Sequence, residues 1–180
     1  MRARIAAALA ALALGWPAAA GAQTAAAPAA APAKCADDPA YKQLDYLLGT
    51  WDVTSLAGKH SAVVRLEKAL DGCGIAQTWD ADSGVGSGRG MFTYSRLMQS
   101  WHYLWVTNAG GTSYTRGRPD RPNSVLLVSN YPLPGGGERL RHVIFTLVAE
   151  NRLQETAWWS EDGGKTWTNE FDLWWVRRAK

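Results

Sequence analysis

The shortness of the segments that join the strand-like runs is the feature that most constrains this fold. From about residue 50 onward, runs rich in Val, Ile, Thr and aromatic residues alternate with glycine-containing turns, such as those at 57–59, 71–74, 83–86, 108–111 and 161–164. A connection between parallel strands needs about a dozen residues or more. None of these turns is that long, so neighbouring strands are expected to be antiparallel and to follow each other as a meander.

The pattern predicts ten strands, at positions 50–55, 62–70, 75–81, 90–95, 101–107, 113–117, 125–130, 140–150, 153–160 and 166–177. A short helix is expected before them, because Asp38 and Pro39 form a typical helix start and Gly49 ends the segment. Closing into a barrel hides the edges of such strands with the simplest connectivity. We therefore expect an all-β fold, an antiparallel up-and-down barrel of about ten strands with one short N-terminal helix. A Greek-key sandwich is the alternative.

The N-terminal 34 residues indicate export. Residues 1–22 combine basic Arg2 and Arg4, an apolar stretch at 5–14 and small residues ending at Ala22, which is the pattern of a secretory signal peptide. The apolar stretch has about half the length that a membrane-spanning helix needs, so no transmembrane anchor is expected. Residues 23–34 are mostly Ala and Pro, which predicts a disordered linker. The folded domain is expected at 35–180, in a periplasmic or secreted protein.

The two cysteines, Cys35 and Cys73, both lie in this domain. In an oxidising compartment, a disulfide between them is the default expectation. The three histidines, His60, His102 and His142, are too widely spaced to form a ligand pair on one strand. Neither a metal site nor a cofactor is therefore expected.

The charge balance gives no support for nucleic-acid binding. Without Arg2 and Arg4 of the signal peptide, the 19 basic residues fall to 17, against 16 acidic ones. A nearly neutral domain lacks the excess of basic residues that binding to phosphates requires.

No segment of the sequence carries a specific catalytic motif. Gly-x-Ser-x-Gly and Ser-x-x-Lys are absent from the chain. The glycine-rich segment 84–90 has the wrong spacing for a phosphate loop and precedes a strand, so it is interpreted as a loop at the barrel mouth. Ser160, Asp162, Gly164 and Trp167 match a single Asp-box, which predicts a structural hairpin turn. The catalytic residues, if there are any, stay unknown, since distant residues could still form a triad.

Aromatic and amide side chains supply the candidate binding residues. Alternation along a strand places Trp101, Tyr103 and Trp105 on one face. A buried amide among such rings needs a partner from the protein or from a ligand. We predict that seven inward-facing side chains share one ligand-binding cavity, namely Gln77, Trp79, Trp101, Tyr103, Trp105, Gln154 and Trp158. The alternative is a core that these side chains fill with no ligand.

Four segments of the sequence, taken in order, resemble those of a known family. They are Leu47-Leu48-Gly49-Thr50-Trp51-Asp52-Val53, Leu70-Asp71-Gly72-Cys73, Gln77-Thr78-Trp79 and Asp162-Gly163-Gly164-Lys165-Thr166-Trp167. This order is similar to that of an exported bacterial family of lipocalin-like domains, within the wider calycin group. Gly49 and Trp51 also resemble the Gly-x-Trp signature of calycins, in which the Trp packs at one end of the barrel. The resemblance implies a β-barrel with an internal cavity over most of 35–180, and it carries no catalytic residues.

These features lead to one function hypothesis and two alternatives. The first is binding of a small apolar or amphipathic molecule in a Trp-lined barrel cavity. The second is an isomerase, cyclase or hydrolase acting on a hydrophobic substrate in the same cavity, with Glu155, Arg141 or His102 as the acid or base. The third is a structural envelope protein with a filled barrel and an exposed patch of tryptophans. Whether the protein is an enzyme stays open at this point.

Overall fold

Ten antiparallel strands close into a barrel in this computed structural model, which describes residues 34–179. The predicted signal peptide at 1–22 and all but the last residue of the predicted linker at 23–34 lie outside the described residues. The strands are β1 Gly49–Ser55, β2 His60–Ala69, β3 Gly74–Ala81, β4 Gly88–Ser95, β5 Ser100–Thr107, β6 Thr112–Arg121, β7 Ser124–Pro132, β8 Glu138–Ala149, β9 Arg152–Ser160 and β10 Thr168–Arg177.

Each strand pairs with its neighbours in sequence, and β1 closes the barrel by pairing with β10. At this seam, Trp51 lies opposite Arg177 and Val53 lies opposite Trp175. The closure confirms the predicted up-and-down barrel over the Greek-key sandwich. All ten predicted strands are present, and their bounds differ from the prediction by a few residues, most at β6, which continues to Arg121.

The predicted short helix is present as 3-10 turns at one end of the barrel. They span Cys35–Asp37, Pro39–Lys42 and Asp45–Leu47. The Asp38 carboxylate accepts a hydrogen bond of 3.0 Å from the Ala40 amide at the start of the second turn, as expected for an N-terminal cap. Within residues 34–179, no helix has the length and apolarity needed to cross a membrane.

This helical segment covers one end of the barrel, which we call the closed end. Its Leu44 and Leu47 side chains are at most 1% exposed and join the core. The segment makes hydrogen bonds with four strands. Lys68 of β2 donates to the Tyr41 carbonyl, and Trp101 of β5 donates to the Gln43 side chain. Tyr46 donates to the Phe145 carbonyl of β8, and Arg177 of β10 donates to the Tyr46 carbonyl. Because these strands lie around the whole circumference, the segment spans the barrel end and seals it.

A disulfide joins Cys35 to Cys73, as predicted. It ties the first 3-10 turn to the connection between β2 and β3, which contains another short 3-10 turn at Leu70–Gly72. The segment that covers the closed end is therefore anchored covalently at its start.

Side chains fill the half of the barrel next to the closed end. Trp51, Phe92, Phe145 and Trp175 are at most 2% exposed. Their rings meet edge to face, with centroids 6.4 Å apart for Trp51 and Trp175 and 6.0 Å apart for Phe92 and Phe145. Burying each phenylalanine stabilises the fold by roughly 1.5–3 kcal/mol. This half has the filled core that the sequence leaves as an alternative, and the other half does not.

Candidate functional site

A cavity of about 740 Å³ occupies the other end of the barrel, which we call the open end. Small-molecule sites typically measure roughly 300–1,000 Å³, so this cavity has room for a molecule of several rings. Side chains from β3 and from each of the strands β5 to β10 form its wall. Residues from the turns after β3, β5 and β7 form its mouth.

Four of the seven predicted site residues line the cavity, namely Gln77, Trp79, Tyr103 and Trp105. The rings of Trp79, Trp105 and Tyr103 form a continuous aromatic wall. Trp105 contacts Trp79 on one side and Tyr103 on the other, and the ring centroids are 6.3 Å apart in each pair. Alternation along β3 and β5 therefore places these side chains inside the barrel. Whether they bind a ligand stays a prediction.

Trp101 shares the inward face of β5 with these residues but lies at the closed end instead of in the cavity. It is 1% exposed, packs edge to face with Tyr94, and donates from Nε1 to the Gln43 side chain at 3.0 Å. Alternation along a strand predicts the face on which a side chain lies, but it does not predict the position of that side chain along the barrel axis. The prediction that Trp101 lines the cavity is therefore wrong in position, although its face is right.

Gln154 and Trp158 lie on the outer face of the barrel, which corrects their placement in the cavity. On β9, Leu153 and Ala157 are fully buried, and Glu155 and Trp159 line the cavity. The even-numbered positions between them must then point outward. In agreement, the Gln154 side chain donates to the Asp172 carboxylate on β10 at 3.4 Å.

Two glycines of β4 make room for the aromatic wall. A Cβ atom at Gly88 would lie 2.4 Å from the Trp105 ring, and one at Gly90 would lie 2.6 Å from the Tyr103 ring. Both distances are too short for any side chain, so the rings occupy the space that residues at these positions would need. The glycine-rich segment 84–90 thus ends inside a strand and supports the rings of β5, in addition to forming the mouth loop that the sequence predicts.

The floor of the cavity carries a small group of polar side chains. The Tyr103 hydroxyl donates to the Gln77 side-chain oxygen at 3.0 Å, and both residues are less than 10% exposed. The Glu155 carboxylate accepts a hydrogen bond of 3.2 Å from Trp175 Nε1. These are the orienting groups that a mostly apolar pocket needs.

Glu155 is an ionisable group of the cavity whose pKa is strongly shifted. Part of its surface faces the cavity and the barrel surrounds the rest. Burial raises the pKa of Glu155 from 4.5 to about 7, against the opposing effect of the Arg141 charge and the Trp175 hydrogen bond. Burial, followed by the Glu155 charge, also raises the pKa of Tyr103 well above its usual value. Tyr103 therefore stays neutral, while Glu155 changes charge near neutral pH.

Two ion pairs stand between this floor and the mouth. Arg141 donates from Nε to Glu170 at 2.6 Å, and Arg139 donates from Nε to Glu161 at 2.8 Å. Each guanidinium also lies over an aromatic ring, Arg139 over Trp159 at 4.7 Å and Arg141 over Phe171 at 5.8 Å.

The sequence prediction omits several of these cavity residues. Alternation along β8 offers a signal for Arg139 and Arg141, because they share a face with Val143 and Phe145, which are at most 5% exposed. No such signal exists for Glu170, since the pairing of β10 with β9 shifts register beside it.

His102 lies outside the cavity, unlike the other two residues considered as acid or base. It sits on the outer face of β5, where its ring nitrogens contact the Tyr114 hydroxyl and the Ser100 hydroxyl, the latter at 3.2 Å. Glu155 and Arg141 do line the cavity.

No family model and no curated protein matches this chain. Within residues 34–179, no group of three or more His, Cys, Asp or Glu side chains is placed to hold a metal ion. Function therefore has to be inferred from the cavity and its side chains.

Proposed function

We propose that the barrel binds a small amphipathic molecule in the cavity at its open end. The observation that carries this proposal is the combination of a cavity of about 740 Å³, an aromatic wall and a floor with few polar groups. Such a combination is typical of small-molecule sites, in which the apolar wall supplies affinity and the polar groups fix orientation. The apolar part of the ligand lies against Trp79 and Trp105, and its polar end reaches Gln77, Tyr103 and Glu155.

We further propose that the protein is a lipocalin-like carrier of the periplasm or the secreted fraction. Its similarity to calycins at Gly49 and Trp51 supports this, because Trp51 is fully buried near the closed end and donates to the Leu47 carbonyl at 2.9 Å. The signal-peptide pattern at 1–22 and the disulfide between Cys35 and Cys73 support export, since structural disulfides form in oxidising compartments.

Nile red, an uncharged fluorophore that brightens in apolar surroundings, tests whether the cavity binds. Ser113→Trp adds an indole to the cavity wall and should abolish the increase in emission. Tyr114→Trp changes the next residue, whose side chain is 52% exposed, and should leave the increase unchanged. Similar melting temperatures establish that both variants fold. Equal emission from the two variants, or none from the wild type, would show that the proposal is wrong.

A second candidate function, acid–base catalysis on a bound hydrophobic substrate, is favoured by Glu155 alone. A carboxyl group with a pKa of about 7 on a cavity wall has the proton affinity that a general acid or base needs near neutral pH. The test is incubation of the protein with a lipid and isoprenoid extract, followed by mass spectrometry. Products formed by the wild type and not by Glu155→Gln would establish catalysis, and an unchanged extract would leave binding as the function.

A further inference from the structure

The two arginines of the cavity wall are already neutralised by the protein. Arg141 is paired with Glu170, and Arg139 with Glu161. Glu155 has no ion-pair partner within 4.0 Å among residues 34–179. An anionic ligand therefore finds no unpaired basic group on the wall, and it would also meet repulsion from Glu155 at any pH where that group is ionised.

Two of the aromatic rings that line the cavity are not free to hold a cation. The guanidinium groups of Arg139 and Arg141 already lie over the rings of Trp159 and Phe171. A cationic ligand gains from a ring face only where that face is available. Below about pH 7, the pKa of Glu155, it would also find no ionised carboxylate that lacks a partner on the wall formed by residues 34–179.

One polar group left uncommitted on the floor is a hydrogen-bond donor. The Gln77 oxygen accepts from Tyr103, and no residue within 34–179 accepts a hydrogen bond from the Gln77 amide nitrogen. Leaving this donor unpaired is unfavourable, so a ligand that accepts a hydrogen bond complements the Gln77 amide.

We propose that the ligand is an uncharged molecule with fused or linked rings and a carbonyl oxygen, which accepts hydrogen bonds from the Gln77 amide and from Glu155 in its acid form. This inference rests on the proposed function, because it names the chemical class that the same cavity takes. A carbonyl oxygen fits better than a hydroxyl because it accepts without bringing a further donor.

The proposal makes affinity for the carbonyl ligand dependent on pH. Glu155 is faced by Arg141 from β8, by Glu170 and Trp175 from β10, and by Tyr103 from β5. As pH rises through about 7, the pKa of Glu155, its carboxyl group loses the proton that it donates to the ligand. Binding of the carbonyl compound is therefore expected to weaken above neutral pH.

Three naphthalene derivatives with the same ring system test the class of ligand by displacement of Nile red. They are 2-acetylnaphthalene, 2-naphthoate and 2-naphthylmethylammonium, which are uncharged, anionic and cationic. At about pH 6, the ketone should bind more tightly than either ion, because an ion loses its hydration in a cavity that offers no unpaired group of opposite charge. Gln77→Leu should weaken binding of the ketone about tenfold, which is the effect of one hydrogen bond to a well-placed partner. Gln154→Leu, the same change on the outer face, is the matched control and should leave binding of the ketone unchanged.

The pH profile supplies a second measurement if Gln77→Leu does not fold. Affinity of the wild type for the ketone should fall between about pH 6 and pH 8, whereas Glu155→Gln, which keeps a donor at all pH values, should show a flat profile. If Nile red binds, and either ion displaces it at least as well as the ketone does, the proposed ligand class is wrong. The same holds if the ketone does not displace Nile red. In both cases the proposed cavity function still stands. Absence of Nile red binding itself overturns both.

Discussion

Glu155 should make the stability of the ligand-free protein depend on pH. Burial raises its pKa from 4.5 to about 7 in the folded state. Because the folded protein binds this proton more tightly than the unfolded chain, the stabilisation is fully present below about pH 4.5 and is lost as pH rises through about 7. With about 1.4 kcal/mol for each tenfold difference in proton affinity, the loss amounts to about 3 kcal/mol.

The assay is urea unfolding of the wild type and of Glu155→Gln at about pH 5 and at about pH 8. The wild type should lose about 2.5 kcal/mol more of its free energy of unfolding than the variant between these two conditions, since part of the effect lies below pH 5. Groups elsewhere, such as His60, whose pKa is raised by hydrogen bonds to Asp82 and Asp52, titrate in both proteins and cancel in the comparison.

Parallel pH profiles for the two proteins would refute this reasoning. They would mean that water in the cavity solvates the Glu155 carboxylate as well as bulk water does. The acid form of Glu155 would then be rare at neutral pH, and the carbonyl ligand would lose one of its two donors.

Three further predictions concern the parts of the molecule that frame the cavity. Replacing both Cys35 and Cys73 by Ser should lower the free energy of unfolding by roughly 3–4 kcal/mol, because the bridge closes a loop of 38 residues; an unchanged urea midpoint would contradict this. Asp162→Ala should lower the melting temperature without altering Nile red binding, because the Asp162 carboxylate accepts hydrogen bonds from the Lys165 and Thr166 amides, both at 3.0 Å; altered binding at an unchanged melting temperature would place a site at this turn instead. Gly90→Ala should weaken Nile red binding, since the added methyl group displaces the ring beside it, and unchanged affinity would show that the ring moves without affecting the cavity.

The fold follows from local features of the sequence because each of them acts over a few residues. Short turns exclude crossovers, and the need to hide strand edges favours closure. The pairing of Cys35 with Cys73 needs only two cysteines and an oxidising compartment. None of these arguments depends on which face of a strand points inward.

The site is harder to predict because it depends on both the face and the height of each side chain. On β9, Trp158 and Trp159 are adjacent, so each face carries one tryptophan and hydrophobicity does not decide between them. A preference for apolar residues inside then assigns Gln154 inward and Glu155 outward, the reverse of the observed arrangement. The cavity contains two acids and two arginines, and this exception to the usual pattern is the part that suggests a function.

The sealed end has a consequence for the kinetics of exchange. Since residues 39–47 cover the barrel on one side, the mouth is the one path that residues 34–179 leave open, both for a bound ligand and for its replacement. A competing ligand cannot enter from the closed end, and it binds only after the first ligand has dissociated. The rate of displacement should therefore equal the spontaneous dissociation rate and should not increase with competitor concentration. The residence time then depends on the bound ligand and its contacts with the cavity wall, and not on the concentration of competing ligands.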